Sequence, residues 1–465
     1  MYLRKTYTKK WVLIHFLTTH TFAEEKNEKN MKTKFLALAI ACGIASLPAI
    51  ADSTSDKNNE SAPSNESKLI FGGYGEAAIS RNFYSDNYLR YSSAEKYKDA
   101  PSHGRFDLPH VVFFVGYNFG KGWSIGSEIE FEHGGTESAI EIEQEEAGEY
   151  EQEVERGGEV ALEQFWIQKS FNTAFNLKMG HFIVPVGLTN QHHMPTEFFG
   201  VYRPEGENTI IPCTWHETGI SLWGKIKDWR YEVQFLAGLD ADRFGNKGWI
   251  HDGAGSPYEF KIANAYAGAV RIDNYSIPGL RIGISGYIGN SFKNTLSSIS
   301  QKNTYKDITG TVSIGAVDFH YDAHNWIVRG GAIYGHLSNS ALISKFNMNQ
   351  SQNSPSPAQH IGSDAISVGA EAGYDFFSQI DKLKDKGQKL YLFGRYDYYD
   401  SMFKTAPEII DLKWCGRQRL AAGLNYFPIK NVVIKGEYAI GLLDKQYNNE
   451  PSLSFGVAYS GFFTR

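Results

Sequence analysis

The sequence predicts an all-β protein, a 16-stranded antiparallel transmembrane β-barrel. Three observations predict it. Apolar and polar residues alternate with period two from Leu69 onward, the alternating segments number sixteen, and the connections between them are by turns long and short. A soluble sandwich also alternates, but it has no reason to sort its loops by length.

The barrel is expected over 68–465, behind a leader. Lys32 and Lys34 precede the apolar run Phe35–Leu47, and Ala49-Ile50-Ala51 follows. A charged start, an apolar stretch and a small-x-small site make 31–51 a signal peptide, cleaved after Ala51. Residues 1–30 read as an over-called start with Met31 as the true one, or as an extended charged region. Cys42 after Ala39-Ile40-Ala41 is a poor lipobox, because the apolar run continues past it. Residues 52–67 are polar and read as a flexible lead-in.

The first strand sets the pattern. Leu69, Phe71, Gly73, Gly75, Ala77 and Ile79 share one face, and Lys68, Tyr74, Glu76 and Ser80 the other. The full set is 68–80, 110–118, 123–132, 159–170, 175–183, 215–226, 229–240, 259–272, 280–290, 310–321, 325–336, 361–377, 388–399, 415–426, 431–441 and 451–463. Short connections such as 119–122, 172–174, 227–228, 322–324 and 427–430 belong on the periplasmic side. Long ones at 81–109, 133–158, 184–214, 241–258, 291–309 and 337–360 belong outside. Aromatics beside the short turns (Tyr117, Phe119, Trp166, Trp229, Tyr231, Trp326, Tyr426, Phe427) are expected to form an interfacial girdle.

Other classes find little support. Outside the leader no run of 18 apolar residues provides a membrane helix. Gly73-x-Gly75-x-x-Ala78 mimics a dinucleotide fingerprint, but period two continues where a helix would have to open. His192-His193 lack further ligands at a recognisable spacing and read as a solvated loop pair, so no metal is expected. No nucleophile–base pair converges, so no catalytic residue is assigned; neither a cofactor nor nucleic acid is expected. Cys213 and Cys415 fall at the outer ends of strands eight apart. They can form a disulfide only if the third loop folds in to meet the seventh external loop, and the pairing stays open.

Charge locates the candidate pore. By parity, Glu128, Glu130, Glu163, Glu217 and Glu232 face the lumen on one side, with Lys178 and Arg230 as exceptions, and Arg271, Arg281, Arg329, Arg395, Arg417, Arg419 and Lys435 on the other, interrupted by Asp318, Glu371, Asp375, Asp397 and Glu437. Opposed walls make a transverse field; local pairing of the same charges is the bland reading, and the two stand level. The third long connection, 184–214, is Pro- and aromatic-rich, which favours an ordered loop. Its polar residues His192, His193, Glu197, Arg203, Glu205 and Glu207 are constriction candidates. The Glu-rich stretch Glu137 to Glu155 reads as a solvated external loop or as a cation-attracting mouth that contacts lipopolysaccharide through divalent ions.

Short motifs carry a family resemblance: Phe71-Gly72-Gly73-Tyr74, Leu162-Glu163-Gln164-Phe165-Trp166, Lys178-Met179-Gly180-His181-Phe182, Val184-Pro185-Val186-Gly187 and Trp215-His216-Glu217-Thr218-Gly219. With the strand layout, the chain resembles the 16-stranded porins of the Gram-negative outer membrane, and most of all the phosphate-selective porin O and P type in its Bacteroidetes form. The last strand resembles the aromatic C-terminal signal of such barrels, although Thr464 and Arg465 follow Phe463. The resemblance implies a homotrimer in outer-membrane lipid and lipopolysaccharide, passing small polar solutes or anions, with the third loop folded into the lumen. It does not fix phosphate as the solute. A barrel adhesin, or a barrel enzyme with its lumen closed by loops, is the competing reading.

Overall fold

β-Branched and aromatic residues on one face and charged or small ones on the other give strands with two differently solvated sides. In the computed structural model, which describes residues 68–134, 140–142, 154–156, 160–254, 264–352 and 360–463, these strands close on themselves. The leader, the 52–67 segment and most of the Glu-rich connection lie outside the described residues.

The barrel strands are β1 (Lys68–Asn82), β2 (His110–Gly120), β3 (Trp123–Glu132), β4 (Val160–Asn172), β5 (Phe175–Ile183), β6 (His216–Ile226), β7 (Trp229–Ala237) and β8 (Tyr266–Ile277). They continue with β9 (Leu280–Asn290), β10 (Thr311–Ala323), β11 (Trp326–Leu337), β12 (Asp364–Asp375), β13 (Lys389–Lys404), β14 (Gly416–Ile429), β15 (Val432–Gly441) and β16 (Ser452–Phe462). Each pairs antiparallel with the next, and β1 pairs with both β2 and β16, which makes a closed 16-strand barrel.

Closure pairs every strand edge, which is the condition for crossing lipid with strands. The outward face is apolar and exposed: Leu69, Val233, Phe235, Ile284, Ile288, Leu392, Ile434 and Phe455 all lie on it. An exposed apolar belt on a closed barrel is a lipid-facing surface, and the protein is an outer-membrane barrel. Among the described residues no helix is long and apolar enough to cross a membrane.

Most short connections are two-residue hairpins. Lys121-Gly122 and His324-Asn325 both take positive φ at each position, the turn whose twist matches the strands it joins. The connection after β12 is longer and holds a helical turn, Asp381–Lys384.

Four expectations are corrected. The eighth strand runs Tyr266–Ile277 rather than 259–272, because Pro278-Gly279 makes the turn. The thirteenth extends to Lys404. The first long connection is partly strand, since His103–Asp107 pairs with the outer end of β1. Trp166 is not in the girdle: it is 2% exposed and faces inward. A β-bulge causes this last reversal. Glu128 pairs with Gln164 and Ile129 with Leu162, so Glu163 is the extra residue, and both Glu163 and Gln164 turn inward. Beyond the bulge the parity of β4 flips. Phe119, Trp229 and Trp326 are exposed beside short turns, as a girdle requires.

The outer half of the lumen has an apolar core of its own. Phe244, Trp249, Ile250, Phe292 and Ile343 are fully buried, and they come from the connections after β7, β9 and β11. Trp249 Nε1 donates to Gly362 O at 3.1 Å, and the indole lies against Gly335, where a Cβ would come within 2.1 Å of the ring.

Candidate functional site

The third external loop, 184–215, leaves β5, crosses the lumen and returns to β6. Its entry is fixed by Gly187, whose φ of +81° suits glycine. Gly187 N donates to Ser285 Oγ at 3.2 Å, and Arg271 Nη1 donates to Gly187 O at 2.9 Å. A short helix, Glu205–Ile210, ends the inward excursion ahead of Pro212.

The loop tip is pinned to the opposite wall. Lys435 Nζ on β15 donates to Phe198 O at 3.0 Å and Gly200 O at 2.7 Å. Phe199 N donates to Glu371 on β12 at 3.3 Å, and Val201 N to Glu437 on β15 at 3.2 Å. Phe199 stacks on Phe393 of β13 with centroids 5.2 Å apart. Tyr399 Oη donates to Glu205 Oε2 at 2.9 Å, and Arg419 Nε lies 3.1 Å from Glu205 Oε1. β5 and β14 stand seven strands apart by the shorter way round a ring of 16, so the loop spans the bore.

The six constriction candidates divide into two groups. Glu205 is the one that reaches the wall arginines. The others hold the loop's own shape. Glu207 accepts from Leu188 N and Asn190 N, both at 2.9 Å, and burial pushes its pKa up to about 7. Arg203 donates to His193 O at 3.4 Å and Cys213 O at 3.3 Å. His192 Nδ1 lies 3.1 Å from Glu197 Oε1, and burial raises the Glu197 pKa to about 8. The expected solvated histidine pair is therefore corrected. His193 is 3% exposed, and burial first, then nearby arginines, hold both imidazoles down at about 3.

Glu128, Glu130, Glu163, Glu217, Glu232, Arg271, Arg281, Arg329, Arg395 and Lys435 are all buried on the inner face, and Arg417 and Arg419 are inward and half-buried. Their balance differs from two opposed walls. Arg271 lies 2.8 Å from Asp273 and 2.9 Å from Asp318, and Arg281 sits 2.9 and 2.7 Å from the same two. Arg329 bonds Glu371, and Arg395 lies 3.1 Å from Asp397 and 3.5 Å from Glu437. Arg417 meets Glu450 at 3.3 Å. Each arginine of the basic wall thus sits beside a carboxylate, whereas Lys435 is held by loop carbonyls, and Arg281 and Arg395 each keep buried N–H groups without an acceptor.

The acidic wall is paired differently. Glu232 pairs with Arg230 at 2.6 Å, but Glu128 Oε1, Glu130 Oε1 and Glu163 Oε2 are buried with no hydrogen-bond partner. Glu163 takes Thr214 Oγ1 at 2.5 Å and His216 Nε2 at 3.5 Å through its other oxygen.

Cys213 and Cys415 are free thiols, so the disulfide is not formed. The folded-in loop meets β14, the strand that follows the seventh external connection, through Glu205 and Arg419. Cys415 is instead packed with Met402 and Ile409.

Sequence reasoning missed Glu450, which lies in a loop and gathers Arg90 (2.7 Å), Arg417 and the Tyr91 hydroxyl. It also missed Glu371 and Glu437 as anchors of the loop tip. Both were visible as inward charges, but no spacing rule joins them to a segment more than a hundred residues away.

No family model matches the chain. An uncharacterized protein of Aquifex aeolicus is 25% identical over 378 residues, 80% of this chain and 75% of that protein. Among solved structures, an anion-selective porin from Comamonas acidovorans aligns with a TM-score of 0.49 at 10% identity, covering 85% of this chain and 100% of its own. OmpF of Salmonella typhi in complex with daunomycin gives 0.48 at 13% identity, with 85% and 98% covered. The outer-membrane channel DcaP of Acinetobacter baumannii gives 0.47 at 12%, with 86% and 99% covered. Likeness at these values carries no function from those proteins to this one.

Proposed function

We propose that the protein is an outer-membrane porin, a passive channel for small hydrophilic solutes constricted by its third loop. One observation carries the reading: a loop that crosses the bore and is hydrogen-bonded to the far wall by Lys435, Glu371 and Glu437. Such a loop narrows a lumen and lines the narrow part with charge, which is how barrels of this kind sort solutes by size and sign.

The pairing of the lumen arginines bears on selectivity. Arg271, Arg281, Arg329, Arg395, Arg417 and Arg419 each meet a carboxylate. An anion or phosphate preference therefore gains no support from an uncompensated arginine at these positions. Assembly as a homotrimer in lipid and lipopolysaccharide belongs to the same proposal.

A second reading is supported by the apolar packing of the external loops around Trp249 and Phe244, which would suit a barrel kept closed, as in an adhesin. Planar-bilayer recording separates the two. A porin gives stepwise conductance from folded protein. A folded barrel, verified by heat-modifiable gel mobility, that never conducts overturns the channel reading. Crosslinking in native membranes tests the trimer.

A further inference from the structure

We propose that the outer mouth of the barrel binds a divalent first-row transition-metal ion such as Zn2+ through His110 Nε2 and the carboxylates of Glu130 and Glu132. The three donate ligand atoms that all lie within 4.8 Å of one another. Spacing along the chain conceals them, because two strands bring them together. His110 opens β2 directly opposite Glu132 at the end of β3, and Glu130 lies two residues further in on the same inward face.

The histidine is already oriented for the task. Glu76 Oε1 on β1 lies 2.6 Å from His110 Nδ1 and holds the ring proton there. That leaves the lone pair on Nε2, which faces Glu132 Oε1 at 3.8 Å. A carboxylate behind a histidine is the usual support of a metal-bound imidazole.

A second observation points to a missing cation. Glu130 is 3% exposed, and its Oε1 has no hydrogen-bond partner. A buried carboxylate oxygen left unpaired is costly. The bulge in β4 adds to the demand. It turns Glu163 inward until its carboxyl abuts that of Glu130, with a hydrogen bond between the two. Two acids side by side need either a shared proton or a metal ion between or beside them.

Ligand type selects the ion. One imidazole with carboxylates suits Zn2+ and its neighbours, whereas Ca2+ and Mg2+ prefer oxygen alone. Metal–ligand distances of about 2.0–2.2 Å require the three groups to draw together. They have room to do so, since the His110 and Glu132 side chains are 15% and 33% exposed. The remaining coordination positions are open to water from the outer mouth. The site does not depend on the lumen conducting, so its failure and that of the channel reading are distinguishable.

The test uses the refolded full chain in detergent, with Co2+ as the spectroscopic probe and Zn2+ as competitor. The folded protein should show cobalt ligand-field absorption that one equivalent of Zn2+ abolishes and excess Ca2+ or Mg2+ does not. His110→Ala and Glu132→Gln should each weaken Zn2+ at least tenfold, and Glu76→Gln by about 10–100-fold, the usual effect of losing a supporting carboxylate. Glu132→Gln keeps its volume at a strand end, so it remains informative should His110→Ala fail to fold. Absence of the cobalt spectrum from folded protein overturns the proposal and leaves a proton shared by Glu130 and Glu163. Zn2+ affinity unchanged in folded Glu132→Gln overturns it too, and assigns any metal to the Glu-rich connection.

Discussion

Replacing Lys435 by Met should free the tip of the third loop while leaving the barrel wall intact. The ammonium is 2% exposed on β15 and spans two carbonyls of the tip, Phe198 O and Gly200 O, with the Phe198 ring 4.1 Å away. Methionine keeps the stem and its packing but removes both donors. A net hydrogen bond is worth about 1 kcal/mol, and each buried carbonyl left without a donor costs about 1–3 kcal/mol. The docked loop should therefore lose about 2–4 kcal/mol relative to the undocked one. At about 1.4 kcal/mol per factor of ten, the undocked population rises roughly 30- to 700-fold. Single-channel recording should show larger and noisier conductance, and hydrogen exchange should speed up over 196–203 but not in β15. Gly200→Ala approaches the same end sterically, because its Cβ would fall 2.5 Å from Tyr202 O and 2.3 Å from Arg395 Nη1. Unchanged conductance and unchanged exchange in both variants would refute the idea that these contacts hold the constriction.

Four further outcomes are expected. Arg417→Ala with Arg419→Ala leaves Glu450 and Glu205 without those partners, so the reversal potential under a salt gradient should move toward cations, and the shift should shrink at 1 M salt, where the Debye length is about 3 Å. Trp249→Ala empties the loop core and should destabilise the loops by about 3–5 kcal/mol, read as faster exchange near Gly335 and Gly362 with the strands unaffected. Trypsin on intact cells should cut at the exposed Lys302 and spare the periplasmic Lys430; the helix Ser340–Gln350 is docked through buried Ile343 and Phe346, so 340–350 should resist. Acid should loosen the third loop only below about pH 4.5: docking holds His192 and His193 down at about 3 and holds Glu197 and Glu207 up at about 8 and 7, so the two effects offset each other between about 4.5 and 6.5, and the undocked loop binds more protons, and docking weakens, as pH falls from about 4.5 toward 3. Conductance noise rising over that range in the native chain, and less so after His192→Gln with His193→Gln, is the check.

The barrel was legible in the sequence because its cause is local. A residue's face in a strand follows from its parity, and lipid outside with a polar lumen inside makes the two faces chemically distinct. Leu69 to Ile79 show it within a single strand, and the lengths of the connections show which end of each strand faces out. The third loop's destination was signalled by composition and by resemblance. The inward position of Arg271, Arg395 and Lys435 followed from parity alone.

What the sequence could not provide was partnership. The bulge at Glu163 depends on how β3 and β4 register, and it reverses the facing of Trp166. Whether Arg417 is a free cation depends on Glu450 in another loop. The burial of His192 and His193, the apolar core around Trp249, and the meeting of His110 with Glu130 and Glu132 all depend on distant segments folding to the same place. Alternation along a chain records which medium a side chain faces. The charges and donors it meets there are set by closure of the barrel and by the path of its loops, and those are properties of the tertiary structure.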